Sequence, residues 1–375
     1  MHDILDAPWP TPHDLRLNVA TPFITDFERQ FVNAALKESW VGPTSPWVER
    51  FESDLSQHLD LSTLTTSNGS VALMLALRAL GIGHGDEVIV PALTYAATAS
   101  SVVNVGADVV FCDVDPDSWV LDPQSVIDSI SPKTRAIIAV HLYGIRAPMQ
   151  VLAQVAEDHS LFIIEDCAEA FPPTASGQHS GSFSSVQTYS FFANKIITTG
   201  EGGAVATNDA QLLSRLRLLR GQGMDPGRRY YFLEAGYNFR MGSMPAALGV
   251  AQLQRSQELA AVREQCESNY EILLGGVMAR PKPLPGEARY PWLYTATLPE
   301  PRIFDVANAL ARIGIETRPV FRPLNVMPAF RDVPCQSATV SEFIAQRGLS
   351  LPTGHHVTLE LQETIVEVIK KELGK

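Results

Sequence analysis

Between about Ser67 and Asn208 the chain alternates short runs of Val, Ile and Ala with helix-like segments, and this rhythm limits the folds open to it. "EVIVP", "DVVFCDVD", "AIIAVHLYG" and "LFIIED" are strand-like, and they are apolar on both faces instead of every second residue. Strands of that kind belong in a parallel sheet covered on both sides by helices. The intervening segments supply the cover. "NGSVALMLALRALG" has one charged residue in its body, Arg78, and reads as a buried helix that begins after a polar cap and stops at Gly81. "AATASSVVNVG" and "APMQVLAQVAEDH" read as two further helices. Beyond Met244 one or two long helices run to about Leu274, and then the pattern changes. "WLYTATL", "IFDVANALARIG" and "IETRPVF" form an α+β mixture. The 375 residues are too many for one small core. The expectation is a large domain over 1–275 and a smaller C-terminal domain over 276–375.

In a sheet of this type ligands sit outside the carboxyl ends of the strands. That rule selects Tyr95, His141 and Asp166, each at or just after a strand end, and Lys195, which follows the strand-like "VQTYSFF". The glycines of "GIGHGDE" precede a strand instead of following one, which argues against a dinucleotide fingerprint.

Composition excludes other classes. The formal net charge is −12 with no dominant basic patch, which argues against a nucleic-acid or membrane-surface binder. The opening "MHDILDAPWPTPHDLRLNVA" has no basic and then apolar signal pattern, and no run reaches the roughly 20 apolar residues of a spanning helix. Cys112, Cys167, Cys266 and Cys335 are scattered without a CxxC pair, so no metal site is expected and a reducing cytoplasm fits best.

Lys195, in "YSFFANKIITTGEGGAVATN", has two readings. Alone, it is a surface lysine lying over apolar neighbours. With partners, it is a Schiff-base lysine whose desolvated amine attacks a carbonyl carbon. A pyridoxal phosphate site needs an acid at the pyridine nitrogen, an anion-binding helix start and a flat cover for the ring. Asp166 in "IIEDCAEA" supplies the acid, or else caps the next helix. Gly69 and Ser70 in "SNGS" supply the helix start, or a plain cap. Tyr95 supplies the cover, or a core aromatic. Their joint order along the chain favours the site.

These motifs resemble the DegT/DnrJ family of pyridoxal-phosphate sugar aminotransferases, from "TPFITDFERQFVNAALKESWV" to "GLSLPTG". The resemblance implies a fold-type I aminotransferase in the cytoplasm with pyridoxal 5'-phosphate as cofactor. Lys195 then matches the catalytic lysine and Asp166 the partner of the ring nitrogen. Glu169 falls near the ring hydroxyl, and Ser190 completes the phosphate cradle with Gly69 and Ser70. Asn238 in "GYNFRM" matches an asparagine that reaches the phosphate of a second subunit, which implies a homodimer with shared active sites. "SFFANKIITTGEGG", "LRGQGMDPGRRYYF" and "RPVF-P" narrow the likeness to members that aminate C4 of GDP-4-keto-6-deoxymannose, with L-glutamate as donor. Arg228, Arg229, Arg240 and Arg322 are candidate cations for the nucleotide diphosphate. Arg322 and Asn325 depart from the family's usual histidines, and "WVGPTSPWVERFE" departs from its usual substrate loop. Other nucleotide ketosugars therefore remain open as substrates, as does amination at C3. Sugar dehydratases on this scaffold carry histidine in place of the lysine, and Lys195 favours transamination over that and over an idle regulatory homologue.

Overall fold

The computed structural model describes residues 8–171, 183–287 and 289–375. Residues 1–7, the start of the stretch read above for a signal, lie outside the described residues. The described chain opens with α1 (Asp26–Lys37) and α2 (Pro46–Leu59). There follow β1 (Ser62–Thr66), α3 (Gly69–Ala79), β2 (Glu87–Pro91), α4 (Ala96–Asn104), β3 (Asp108–Cys112), α5 (Pro123–Ser129) and β4 (Thr134–Val140). Next come α6 (Met149–His159), β5 (Phe162–Asp166), β6 (Val186–Ser190), β7 (Gly203–Thr207) and α7 (Ala210–Arg220). α8 (Ser243–Gln254) and α9 (Ser256–Leu274) lead to β8 (Tyr294–Thr297), α10 (Ile303–Arg312), β9 (Arg318–Pro319), α11 (Thr339–Ala345), β10 (Gly348–Leu351) and α12 (Leu359–Glu372).

The first seven strands make one sheet in the order β1-β7-β6-β5-β4-β2-β3. All neighbours from β3 through β6 are parallel, and β7 runs antiparallel to both β6 and β1. The apolar runs account for this: β2, β3 and β5 each bury four of five residues, and the largest core cluster packs the strand residues against α3, α4 and α6. A second sheet, β8-β10-β9, is antiparallel. Its cluster combines Tyr294, Leu349 and Leu351 with α10, α12 and the second half of α9, and also takes in Leu17 from near the amino end.

This topology brings five chain segments to one edge of the large sheet. β1 feeds α3, whose cap Asn68 accepts the Val71 N–H at 3.0 Å. β2 feeds Tyr95, β5 ends on Asp166, and β6 ends on Ser190 and leads into the Lys195 loop. β4 ends at Val140 and turns sharply through Tyr143 and Gly144, both at positive φ (50° and 77°). Gly144 faces the chain at Tyr290: its carbonyl accepts the Tyr290 N–H at 2.8 Å, and a Cβ there would stand 1.9 Å from the Tyr290 carbonyl oxygen. Gly144→Ala should therefore cost about 1–3 kcal/mol from positive φ and overpacking together. It should be read as a lowered melting temperature; a change within error would contradict this packing.

Candidate functional site

The edge opens into a cavity of about 650 Å³. Of the residues singled out from sequence, Gly69, Ser70, Tyr95, Asp166, Glu169, Ser190 and Lys195 line it. Asn238, Arg240 and Arg322 do not. Asn238 is exposed and its side-chain oxygen accepts from Arg240 at 3.1 and 3.3 Å. Arg322 directly follows Phe321, which does line the cavity.

One wall is the amino end of α3. Its first residue, Gly69, lies so close to β6 that a Cβ would meet the Ser190 Cβ at 2.8 Å. The helix start and the Ser190 side chain are therefore brought together only because residue 69 has no side chain. Free N–H groups, the helix dipole and two hydroxyls make this an anion cradle. Tyr95 stands at the mouth, 61% exposed, with its ring 5.8 Å from that of Phe321.

The floor is charged and buried. Asp166 accepts the Thr98 hydroxyl at 3.0 Å and the Ala168 N–H at 3.2 Å. Burial nevertheless raises its pKa, since losing water penalises the carboxylate more than these donors and the Lys195 charge repay. Glu169 accepts the Tyr143 N–H at 2.9 Å, and burial raises its pKa to about 7 against the pull of Lys195. Lys195 Nζ lies 3.8 Å from Glu169 Oε1. Its own pKa is lowered, first by burial and further by Arg263 and Arg318, while Glu169 and Asp166 oppose the fall. A lysine in this state is closer to a neutral, nucleophilic amine than one in water.

Thr98, Tyr143, Trp292, Arg318 and Phe321 line the cavity without having been singled out from sequence. Tyr143 joins several of them. Its hydroxyl accepts the Phe321 N–H at 3.2 Å, and its ring stacks on those of Phe321 and Trp292 at 5.5 and 5.8 Å. The stretch "HLYG" carried a signal, a bulky residue just before a glycine after an apolar strand; Arg318 and Phe321 lie in the "RPVF-P" motif without having been picked out of it, and Trp292 carried no signal within its own segment.

Directly beneath Asp166 lies a second buried set. His141 Nδ1 accepts the Ala147 N–H at 3.1 Å, so its proton resides on Nε2, which points at Glu165 Oε2 at 2.9 Å. Glu165 also accepts from Gln187 at 2.9 Å and from Ser184 at 2.5 Å. Burial alone would raise this carboxyl, but these partners hold it at about 2. A depressed carboxyl stabilises the fold above about pH 4.5, and that contribution is lost as pH falls toward 2. Glu165→Gln should lower the melting temperature at pH 7, and its gap from wild type should narrow below about pH 4.5. A gap independent of pH would show that the charge on Glu165 is not what stabilises.

Residues 22–370 match the model of the DegT/DnrJ/EryC1/StrS aminotransferase family, and the chain belongs to that family. It is a pyridoxal-phosphate-dependent aminotransferase. It is 42% identical to GDP-perosamine synthase of Caulobacter vibrioides, over 90% of this chain and 93% of that protein. It is 38% identical to GDP-perosamine synthase of Escherichia coli O157:H7, over 89% and 92%. Among solved structures, Spr1654 of Streptococcus pneumoniae in its PLP form superposes with a TM-score of 0.86 at 26% identity, covering 96% of this chain and 98% of that one. No helix among the described residues is long and apolar enough to cross a membrane.

Proposed function

We propose that the enzyme moves an amino group from L-glutamate to C4 of GDP-4-keto-6-deoxymannose, giving GDP-perosamine. The observation that carries the chemistry is the meeting of Lys195, Asp166 and the α3 start in one cavity. The sugar rests on the relatives that bear the name of this synthase, which match about nine-tenths of the chain.

In this reading Gly69, Ser70 and Ser190 hold the cofactor phosphate, and the contact of residue 69 with Ser190 fits that role because a larger side chain would fill the cradle. Asp166 would face the ring nitrogen, Tyr95 would cover the ring, Glu169 would lie near its hydroxyl and Lys195 would be the amine that joins it, all four lining the one cavity. The bound cofactor supplies an electron sink for the carbon that loses its proton. Asp166 would hold a proton on the ring nitrogen by pairing its carboxylate with the protonated ring. The Lys195 amine, freed in each half-reaction, takes a proton from the donor carbon and returns it at the neighbouring position. Arg318, at the cavity wall, and Arg322, which follows the wall residue Phe321 in the chain, are the cations this reading assigns to the anionic substrate.

We further infer two domains, 1–275 and 276–375, and a cytoplasmic homodimer in which Asn238 serves the partner's phosphate. Asn238 is exposed on the same loop as Tyr230, Tyr231, Phe232 and Leu233, which are 50–73% exposed. An apolar loop of this kind calls for a covering partner, and a second copy would provide one.

The substrate is tested by incubating purified protein with L-glutamate and separate GDP-, dTDP- and UDP-linked ketosugars and reading products by mass spectrometry. GDP-4-keto-6-deoxymannose should be aminated fastest; amination of only a dTDP or UDP sugar would refute the sugar while leaving the chemistry intact. Asp166→Asn should keep the cofactor's visible absorbance but slow turnover by about a hundredfold or more. Near-normal turnover would remove Asp166 from its role.

A further inference from the structure

Lys195 has one neighbour that the chemistry above leaves unused. Its Nζ stands 4.1 Å from the ring centroid of Trp292. Trp292 is 3% exposed and held on all sides. Its Nε1–H donates to the Asn194 carbonyl at 3.1 Å, and its backbone N–H donates to Glu267 Oε1 at 3.0 Å. Its carbonyl accepts from Arg263 Nη1 at 2.8 Å, and the Tyr143 ring stacks on it at 22°. Arg263 also donates to the carbonyls of Asn194 and Lys195, at 3.1 and 3.2 Å. The indole and the lysine backbone therefore hang on the same two groups, and the fold sets the distance between them.

We propose that the indole face of Trp292 is a positioning surface on which the Lys195 ammonium rests whenever that amine is not joined to the cofactor. An aromatic face attracts a desolvated ammonium through its quadrupole yet offers no lone pair to take the proton. Glu169, at 3.8 Å, is beyond hydrogen-bond reach in the same arrangement. The ring thus holds the amine without removing its proton and without tying it down. Other groups also face this amine. Glu169 and Asp166, at and after the end of β5, favour its charge, while Arg263 on α9 and Arg318 on β9 oppose it. Tyr143 and Glu201 share the cavity wall with it. Behind it, a chamber of about 20 Å³ is bounded by Lys195 together with Thr198, Arg263 and His355.

The inference rests on Lys195 being the reactive amine, and the test separates the two claims. The full-length protein, stripped of cofactor, is treated with acetic anhydride over a range of pH, and acetylation of Lys195 is followed by peptide mass spectrometry. Only the neutral amine reacts. Trp292→Leu should move the Lys195 midpoint down by about one pH unit, so that labelling below the midpoint rises roughly tenfold. Trp292→Phe, with a smaller ring, should move it down by less. A midpoint that stays or rises in Trp292→Leu overturns the proposal. If the leucine protein does not fold, the phenylalanine variant decides by the same sign. Borohydride reduction of the loaded wild-type enzyme, followed by peptide mapping, tests the underlying reading alone: a pyridoxyl group on another lysine would refute that reading without touching the labelling result.

Discussion

The arrangement at the sheet edge depends on holding an amine out of water. An isolated buried ammonium is too costly to keep, so its surroundings must repay the loss of hydration or let it shed a proton. Around Lys195 they do part of each. Two carboxylates and an aromatic face favour the charge, while burial and two arginines oppose it. The balance leaves an amine that can carry a proton or release it, which a proton-moving lysine requires. Glu169 is the matching half: a carboxyl raised to about 7 is likewise poised between its two states.

Such a balance needs exact neighbours, and the backbone provides them at a cost. Tyr143 adopts a left-handed conformation that non-glycine residues seldom take. In return its N–H meets Glu169, its hydroxyl meets the Phe321 N–H, and its ring fills the space between Phe321 and Trp292. Gly144, next in the chain, closes against Tyr290 two residues ahead of Trp292. A turn after β4 thus fixes both the carboxylate and the indole that flank the amine. Beneath it, the His141–Glu165 pair ties the end of β4 to β5, so the strands carrying Tyr143 and Asp166 are joined by side chains as well as by their ladder.

The parallel sheet was legible because both-face burial leaves an unmistakable mark: "EVIVP" and "LFIIED" have no polar face to give. The edge residues were legible for a related reason. Once strand ends are located, Tyr95, Asp166 and Lys195 follow by counting, Gly69 follows from its cap, and Ser190 follows from the family resemblance. Trp292 lies outside that scheme, as do Arg318 and Phe321, whose motif "RPVF-P" was noticed only for the family likeness. They come from segments about 100 or more residues further along the chain than Lys195, and only tertiary packing brings them to the edge. Tyr143 sat within a motif that was noticed for its histidine. His141 in fact turns toward Glu165 beneath the site, while Tyr143 lines the cavity. A one-residue change of direction after a strand cannot be read from hydropathy.

The chain as a whole is acidic, while the cavity wall carries both signs, with Lys195 and Arg318 beside Asp166, Glu169 and Glu201. A net charge of −12 repels any anion at long range, although physiological salt confines that repulsion to about 8 Å. Selection must therefore be local. The segment after β9 places Arg318 and Phe321 on the cavity wall with Arg322 next in line, and Tyr143 fastens that segment through the Phe321 N–H. The same tyrosine fastens Glu169. Tyr143 thus holds the segment of residues 318–322 by its hydroxyl and the carboxylate beside the lysine by its backbone N–H. The arginine-bearing wall of the cavity and the carboxylate that faces the amine therefore share a single support.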